Sequence, residues 1–147
     1  MKYFFTLISL FFYNQNLFTQ EIINPYKIEI EKLKATVVDN LKKGNVEEGK
    51  LIVSGRRVNC LSCHQVPIPE EQFQGNFGPS LVGIGSKYSR EEIRLRIINA
   101  KILNPDSIMP SYFVKIDNPR TPLEMIGKTI LTAKEVEDIV EYLYSLK

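Results

Sequence analysis

Cys60-Leu61-Ser62-Cys63-His64 is the stretch on which the reading of this chain turns. Two thiols sit three residues apart, with an imidazole directly after the second. Cys-x-x-Cys-His is the attachment motif of c-type haem. The two thiols add across the two vinyl groups at one edge of a planar ring. The adjacent imidazole then lies beneath the iron as the proximal ligand. Cys60 and Cys63 are therefore the expected tethers and His64 an expected iron ligand. The competing uses of the motif fit less well. A thioredoxin-like dithiol needs a βαβ setting, and no such pattern is visible. A structural zinc site needs four ligands, and the whole chain offers two cysteines and one histidine. A plain disulfide leaves His64 without a role.

The second axial ligand follows by elimination. With one histidine in the chain, bis-histidine ligation within it is excluded. Methionine is the usual strong partner. Met109, in the proline-rich loop before Pro110, is the favoured candidate. Met125, in Leu-Glu-Met-Ile, reads better as a packing residue, and lysine ligation is the remaining rival. A ligating histidine normally donates its other N–H to an acceptor that fixes the ring. Pro79, in Gly78-Pro79-Ser80-Leu81, has no N–H of its own, and its carbonyl is free to accept. With both axial positions filled the iron has no open site, which favours electron transfer over chemistry at the metal.

Outward from the motif, the chain reads as mostly α with long loops. Residues 26–43 carry Ile30, Leu33, Val37 and Leu41 at helical spacing, closed by Gly44 and Asn45. A helix is expected from Val46 to about Arg57. Prolines and glycines mark 65–87 as loop. Ser89-Arg90-Glu91-Glu92 is a capping box that opens a helix to about Leu103. That helix is apolar on two sides, Ile93, Ile97 and Ala100 against Leu95, Ile98 and Ile102. One side suits the core and haem, and the other suits the preceding helix or another chain. Thr132-Ala133-Lys134-Glu135 caps the last helix, with Val136, Ile139, Val140, Leu143 and Leu146 as its buried stripe. No strand pattern of useful length is evident.

The 147 residues suit about one domain, and 19 basic against 17 acidic residues give a formal charge of +2. That balance gives no argument for nucleic acid as a partner. Met1-Lys2, followed by the apolar run Tyr3 to Tyr13, reads as an export signal. It is roughly half the 20 residues needed to span a bilayer. Residues 1–20 are thus the expected signal, 21–45 a helical extension and 46–147 the haem domain. No small-x-small pair marks the cleavage site. The expected location is the periplasm, with no membrane span after cleavage.

Gly78-Pro79-Ser80-Leu81-Val82-Gly83-Ile84-Gly85 and the Met109-Pro110 loop resemble class I cytochromes c. That resemblance implies four or five helices around one covalent haem c, and a helix crossing that Gly49 and Tyr142 match. Several ordered blocks resemble the SoxX family, the small haem subunit of the SoxAX cytochrome of sulfur oxidation. They are 75–81, Arg94-Leu95-Arg96-Ile97, Asn104-Pro105, 109–112 and 127–143. Thr129 departs from the proline often found there. The resemblance implies a heterodimer with a SoxA-type cytochrome, which joins thiosulfate oxidatively to a carrier-protein cysteine (an L-cysteine S-thiosulfotransferase). The sulfur chemistry would lie on the partner. This subunit would be non-catalytic and would pass electrons to a soluble acceptor. The alternative is a free periplasmic class I cytochrome c serving a terminal oxidase or reductase.

Overall fold

The computed structural model describes residues 20–147, so the N-terminal apolar run lies outside the described residues. Its most buried helix is the last. Helix α4, Ala133–Ser145, is buried at every position from Val136 to Leu143. The expected capping box is present: the Thr132 side chain accepts from the Glu135 N–H, and Glu135 accepts from the Thr132 N–H. Helix α1, Val46–Ser54, lies across it. Asn45 caps α1 through its side chain, and its backbone N–H donates to Asp138 Oδ1 at 2.6 Å. Gly49 sits at the crossing. A Cβ there would lie 2.0 Å from the Asp138 carbonyl oxygen and 2.7 Å from Tyr142 Cβ. The pairing expected of Gly49 and Tyr142 is thus what brings the two helices together.

A short helix α2, Ile84–Lys87, leads into α3, Arg90–Asn99. The α3 capping box on Ser89 and Glu92 is also formed, and a 3-10 turn over Ala100–Ile102 finishes the segment. Four α-helices with long loops among the described residues agree with the expected class.

The N-terminal part does not. Residues 26–43 form no α-helix, only a single 3-10 turn over Ile30–Lys32 between two strands. Strands β1 (Gln20–Ile23), β2 (Tyr26–Glu29) and β3 (Lys34–Val37) make an antiparallel sheet in that order. Tyr26 pairs with Val37 and Ile28 with Ala35. The apparent helical stripe was fortuitous: Ile30 and Leu33 are exposed, while Tyr26, Ile28 and Ala35 are fully buried. In a strand alternate residues share one face, and Tyr26 and Ile28 obey that period. The expected helical extension over 21–45 is therefore a sheet as far as Val37, with no α-helix before Val46.

This sheet covers the second apolar face of α3. Helix α3 packs on β3, and Leu95 and Ile98 are fully buried. No other chain is needed to hide that face. Three acids on α4 are matched to cations. Glu137 accepts two bonds from Arg94, Asp138 accepts from Lys134, and Glu141 accepts two from Arg90 with Lys43 nearby. Burial alone would raise the Glu141 pKa, but the Arg90 guanidinium outweighs it and holds the carboxyl below its ordinary 4.5. A lowered folded-state pKa adds stability above the unfolded value, and that stability fades as pH falls through the folded value. Glu141→Gln is accordingly expected to flatten the acid limb of the stability curve below about pH 4.5. Urea titrations at pH 3 to 7 read this directly, and parallel curves for the two proteins would contradict it.

Candidate functional site: a cavity around Cys60, Cys63, His64 and Met109

The residue just before the cysteine motif is in the left-handed conformation. Asn59 adopts φ 52, and a 3-10 turn over Cys60–Ser62 follows. The turn directs the next residues onto a folded loop. His64 N–H donates to the Cys60 carbonyl at 3.0 Å, Gly78 N–H to Cys63 at 2.7 Å and Leu81 N–H to Gln65 at 2.8 Å. Gln74 holds the loop from inside by accepting from Val66 N–H at 2.6 Å and donating to Glu71 at 2.8 Å.

His64 Nδ1 lies 2.7 Å from the Pro79 carbonyl oxygen. A carbonyl can only accept, so Nδ1 carries the proton and donates, leaving the Nε2 lone pair available. Gly78 allows the close approach: a Cβ there would fall 2.5 Å from the His64 ring.

Cys60, Cys63, His64 and Met109 all line one cavity of about 760 Å³. Val53 from α1, Ile93 and Ile97 from α3, and Ile139 and Leu143 from α4 give it apolar walls. Met109 is half-buried against the core. Its loop is tied to α3: Ser111 donates to Asn99 at 2.8 Å, and Tyr112 and Phe113 N–H groups donate to the Ile97 and Ile98 carbonyls, each at 3.2 Å. Met125 does not line the cavity. Tyr112 donates its hydroxyl to the Val58 carbonyl at 3.0 Å, beside the motif. Thr129, at the departure from the SoxX pattern, donates to the Leu131 carbonyl at 2.5 Å and lies outside the lining.

No disulfide joins Cys60 and Cys63. Burial pushes the Cys60 thiol up to about 11. Among the described residues no group of three or more His, Cys, Asp or Glu side chains could hold a metal ion by itself. The residues instead fit a haem. A large apolar cavity carries two thiols, an imidazole with Nε2 available and a thioether in its walls. Lining residues that sequence reasoning missed include Arg96, Lys87 and Tyr88. Their positions depend on how α2 and α3 fold over the cavity, and no local motif marks them.

A family model for cytochrome c matches residues 46–147. The chain is similar to the crystal structure of SoxXA from P. pantotrophus, with 29% identity and a TM-score of 0.70, over 79% of this chain and 91% of that one. No curated protein sequence matches. The family model covers well over half of the chain, and its defining cysteine motif opens onto a cavity of the right chemistry: the chain belongs to the cytochrome c family.

Proposed function

We propose that this chain is the electron-transfer haem subunit of a SoxAX-type cytochrome, working in the periplasm beside a SoxA-type partner. The observation that carries this reading is the likeness to SoxXA, which extends over 91% of that chain. Cys60 and Cys63 would hold one haem c covalently, with His64 and Met109 supplying the ligands to its iron. When bound, the haem supplies a reversible one-electron iron couple. The chain's own residues set the conditions for it. The Pro79 carbonyl keeps the proton on His64 Nδ1 and fixes the ring. The Met109 thioether and the apolar walls disfavour extra positive charge and so raise the reduction potential. Both cysteines of the chain are used in attachment, so no thiol remains here to act as a nucleophile. Sulfur chemistry belongs on the partner, and this subunit takes its electrons and passes them to a soluble acceptor.

Affinity purification from thiosulfate-grown native cells, followed by a gel stained for covalent haem, tests this. A second haem-staining chain in stoichiometric amount is the expected result. This chain alone, haem-positive, would establish a free electron shuttle instead. No stain on this chain would remove both cytochrome readings.

A further inference from the structure

The loop that carries Met109 is tied down unevenly. Ahead of the sulfur its hydrogen bonds are local. Asn104 N–H donates to the Ala100 carbonyl at 3.1 Å, Ser107 N–H to the Asn104 carbonyl at 3.0 Å, and Met109 N–H to Ser107 Oγ at 3.3 Å. Tyr112, just after the sulfur, is fastened on three sides. Its N–H donates to the Ile97 carbonyl of α3 at 3.2 Å, and its carbonyl accepts from Leu131 N–H, ahead of α4, at 2.9 Å. Its hydroxyl donates to the Val58 carbonyl, just before the first cysteine, at 3.0 Å. Among the described residues this phenol makes the only hydrogen bond between segments 104–113 and 55–64. Tyr112 is 7% exposed and lines the cavity, as do Val58, Ile97 and Leu131. Burial, and after it the Cys60 and Cys63 thiols, push its pKa up, so the phenol stays protonated and donates.

We propose that Tyr112 is a positioning residue for Met109, its phenol a strap that joins the sulfur-bearing loop to the segment leading into Cys60, Cys63 and His64. The inference rests on the haem reading given above. The thioether and the imidazole come from different loops, so the link between those loops governs how readily the sulfur stays in reach of the iron. For Met109 to leave, its loop must swing away from the attachment segment, and the phenol bond must break with it. A buried carbonyl that loses its donor also carries a desolvation cost. Local openings of this kind have their own free energy, separate from that of global unfolding. Deleting the hydroxyl makes the opening easier by about the worth of one hydrogen bond. An outside ligand that binds only the opened site then gains affinity in proportion to the opened fraction.

The test is an imidazole titration of the purified, haem-loaded ferric protein, followed through the sulfur-to-iron charge-transfer band. Tyr112→Phe deletes the hydroxyl and keeps the buried ring. It is expected to raise the apparent affinity for imidazole about fivefold, the equivalent of one hydrogen bond in the opening equilibrium. Tyr26→Phe is the control for general loosening. It deletes a hydroxyl bonded at 3.0 Å to the Ala133 carbonyl, outside the cavity lining, and leaves the ring against Phe113. Its affinity is expected to stay within about twofold of wild type, as for an independent site. An affinity for Tyr112→Phe within about twofold of wild type overturns the assignment, because the strap then stays made when the sulfur leaves. A rise from Tyr26→Phe equal to that from Tyr112→Phe does so as well, because the loosening would then be general. Covalent haem without the sulfur band in the wild-type protein would remove Met109 as a ligand and this assignment with it. Absence of covalent haem would instead sink the cytochrome reading itself.

Discussion

Arg94→Met is expected to cost about 3–5 kcal/mol of folding stability, a large share of the roughly 5–15 kcal/mol that holds a domain together. Arg94 is 5% exposed and Glu137 4%. Nε and Nη2 of Arg94 donate to the two Glu137 oxygens at 2.7 and 2.8 Å, and Nη1 donates to the Ala35 carbonyl at 2.8 Å. Burial opposes the guanidinium charge, yet the Glu137 carboxylate more than offsets it and raises the Arg94 pKa. Beside the pair, burial and the same carboxylate push the Tyr26 phenol far up, so it stays a neutral donor to the Ala133 carbonyl at 3.0 Å. Removing Arg94 leaves a buried carboxylate with no cation. The double variant Arg94→Met/Glu137→Leu is expected to recover most of the loss, because an apolar pair of similar volume carries no desolvation cost. Recovery stays incomplete by about 1 kcal/mol, since the Ala35 carbonyl loses its donor. Denaturant titrations of the four proteins form the cycle. A loss below about 1 kcal/mol in the single variant would show that the pair is not what holds β3, α3 and α4 together.

Gly49→Ala is the second large effect, and here two principles point in opposite directions. In an exposed helix interior, alanine is better than glycine by about 1 kcal/mol. At the α1–α4 crossing the new methyl would sit 2.0 Å from a backbone carbonyl. That oxygen belongs to α4 and cannot rotate away as a side chain could, so the helices must separate. Overpacking of this kind costs about 3 kcal/mol. In a chain of this size that lowers the melting temperature by roughly 10 °C. The strain also reaches the cavity, because Ile139 and Leu143 of α4 line it. A melting temperature at or above that of the wild type would mean that propensity wins and the crossing is looser than its geometry indicates.

The parts of this protein that were legible in sequence are those where chemistry demands adjacent residues. Cys60, Cys63 and His64 carry a fixed spacing, Ser89 with Glu92 and Thr132 with Glu135 carry capping boxes, and Pro79 and Met109 stand out for what they lack or offer. The SoxX resemblance drawn from ordered blocks agrees with the structural likeness to SoxXA. What failed was the reading of periodicity over a short span. Strands of four residues give two turns of the alternation, too few to outweigh a chance helical spacing of Ile30, Leu33, Val37 and Leu41. The better signals were the β-rich residues of Tyr26–Ile28 and Thr36–Val38 and the Asn24-Pro25 turn before them. The ion pair of Arg94 escapes a helix wheel, which does not show a partner 43 positions away. The two-sided helix was recognised, but its cover was sought in another helix or chain while the chain's own sheet supplied it.

The three-stranded sheet also bears on where this protein can be cut. The family model begins at residue 46, which invites a recombinant version starting there. Such a version would strip the cover from Leu95 and Ile98 and take the Ala35 carbonyl from Arg94. It would leave a greasy helix face open to aggregation and to spurious partners. Any pull-down made with it would therefore recruit chains to a surface that the intact protein keeps shut. The smallest unit worth expressing begins ahead of the sheet, and the sequence-family boundary is not a folding boundary.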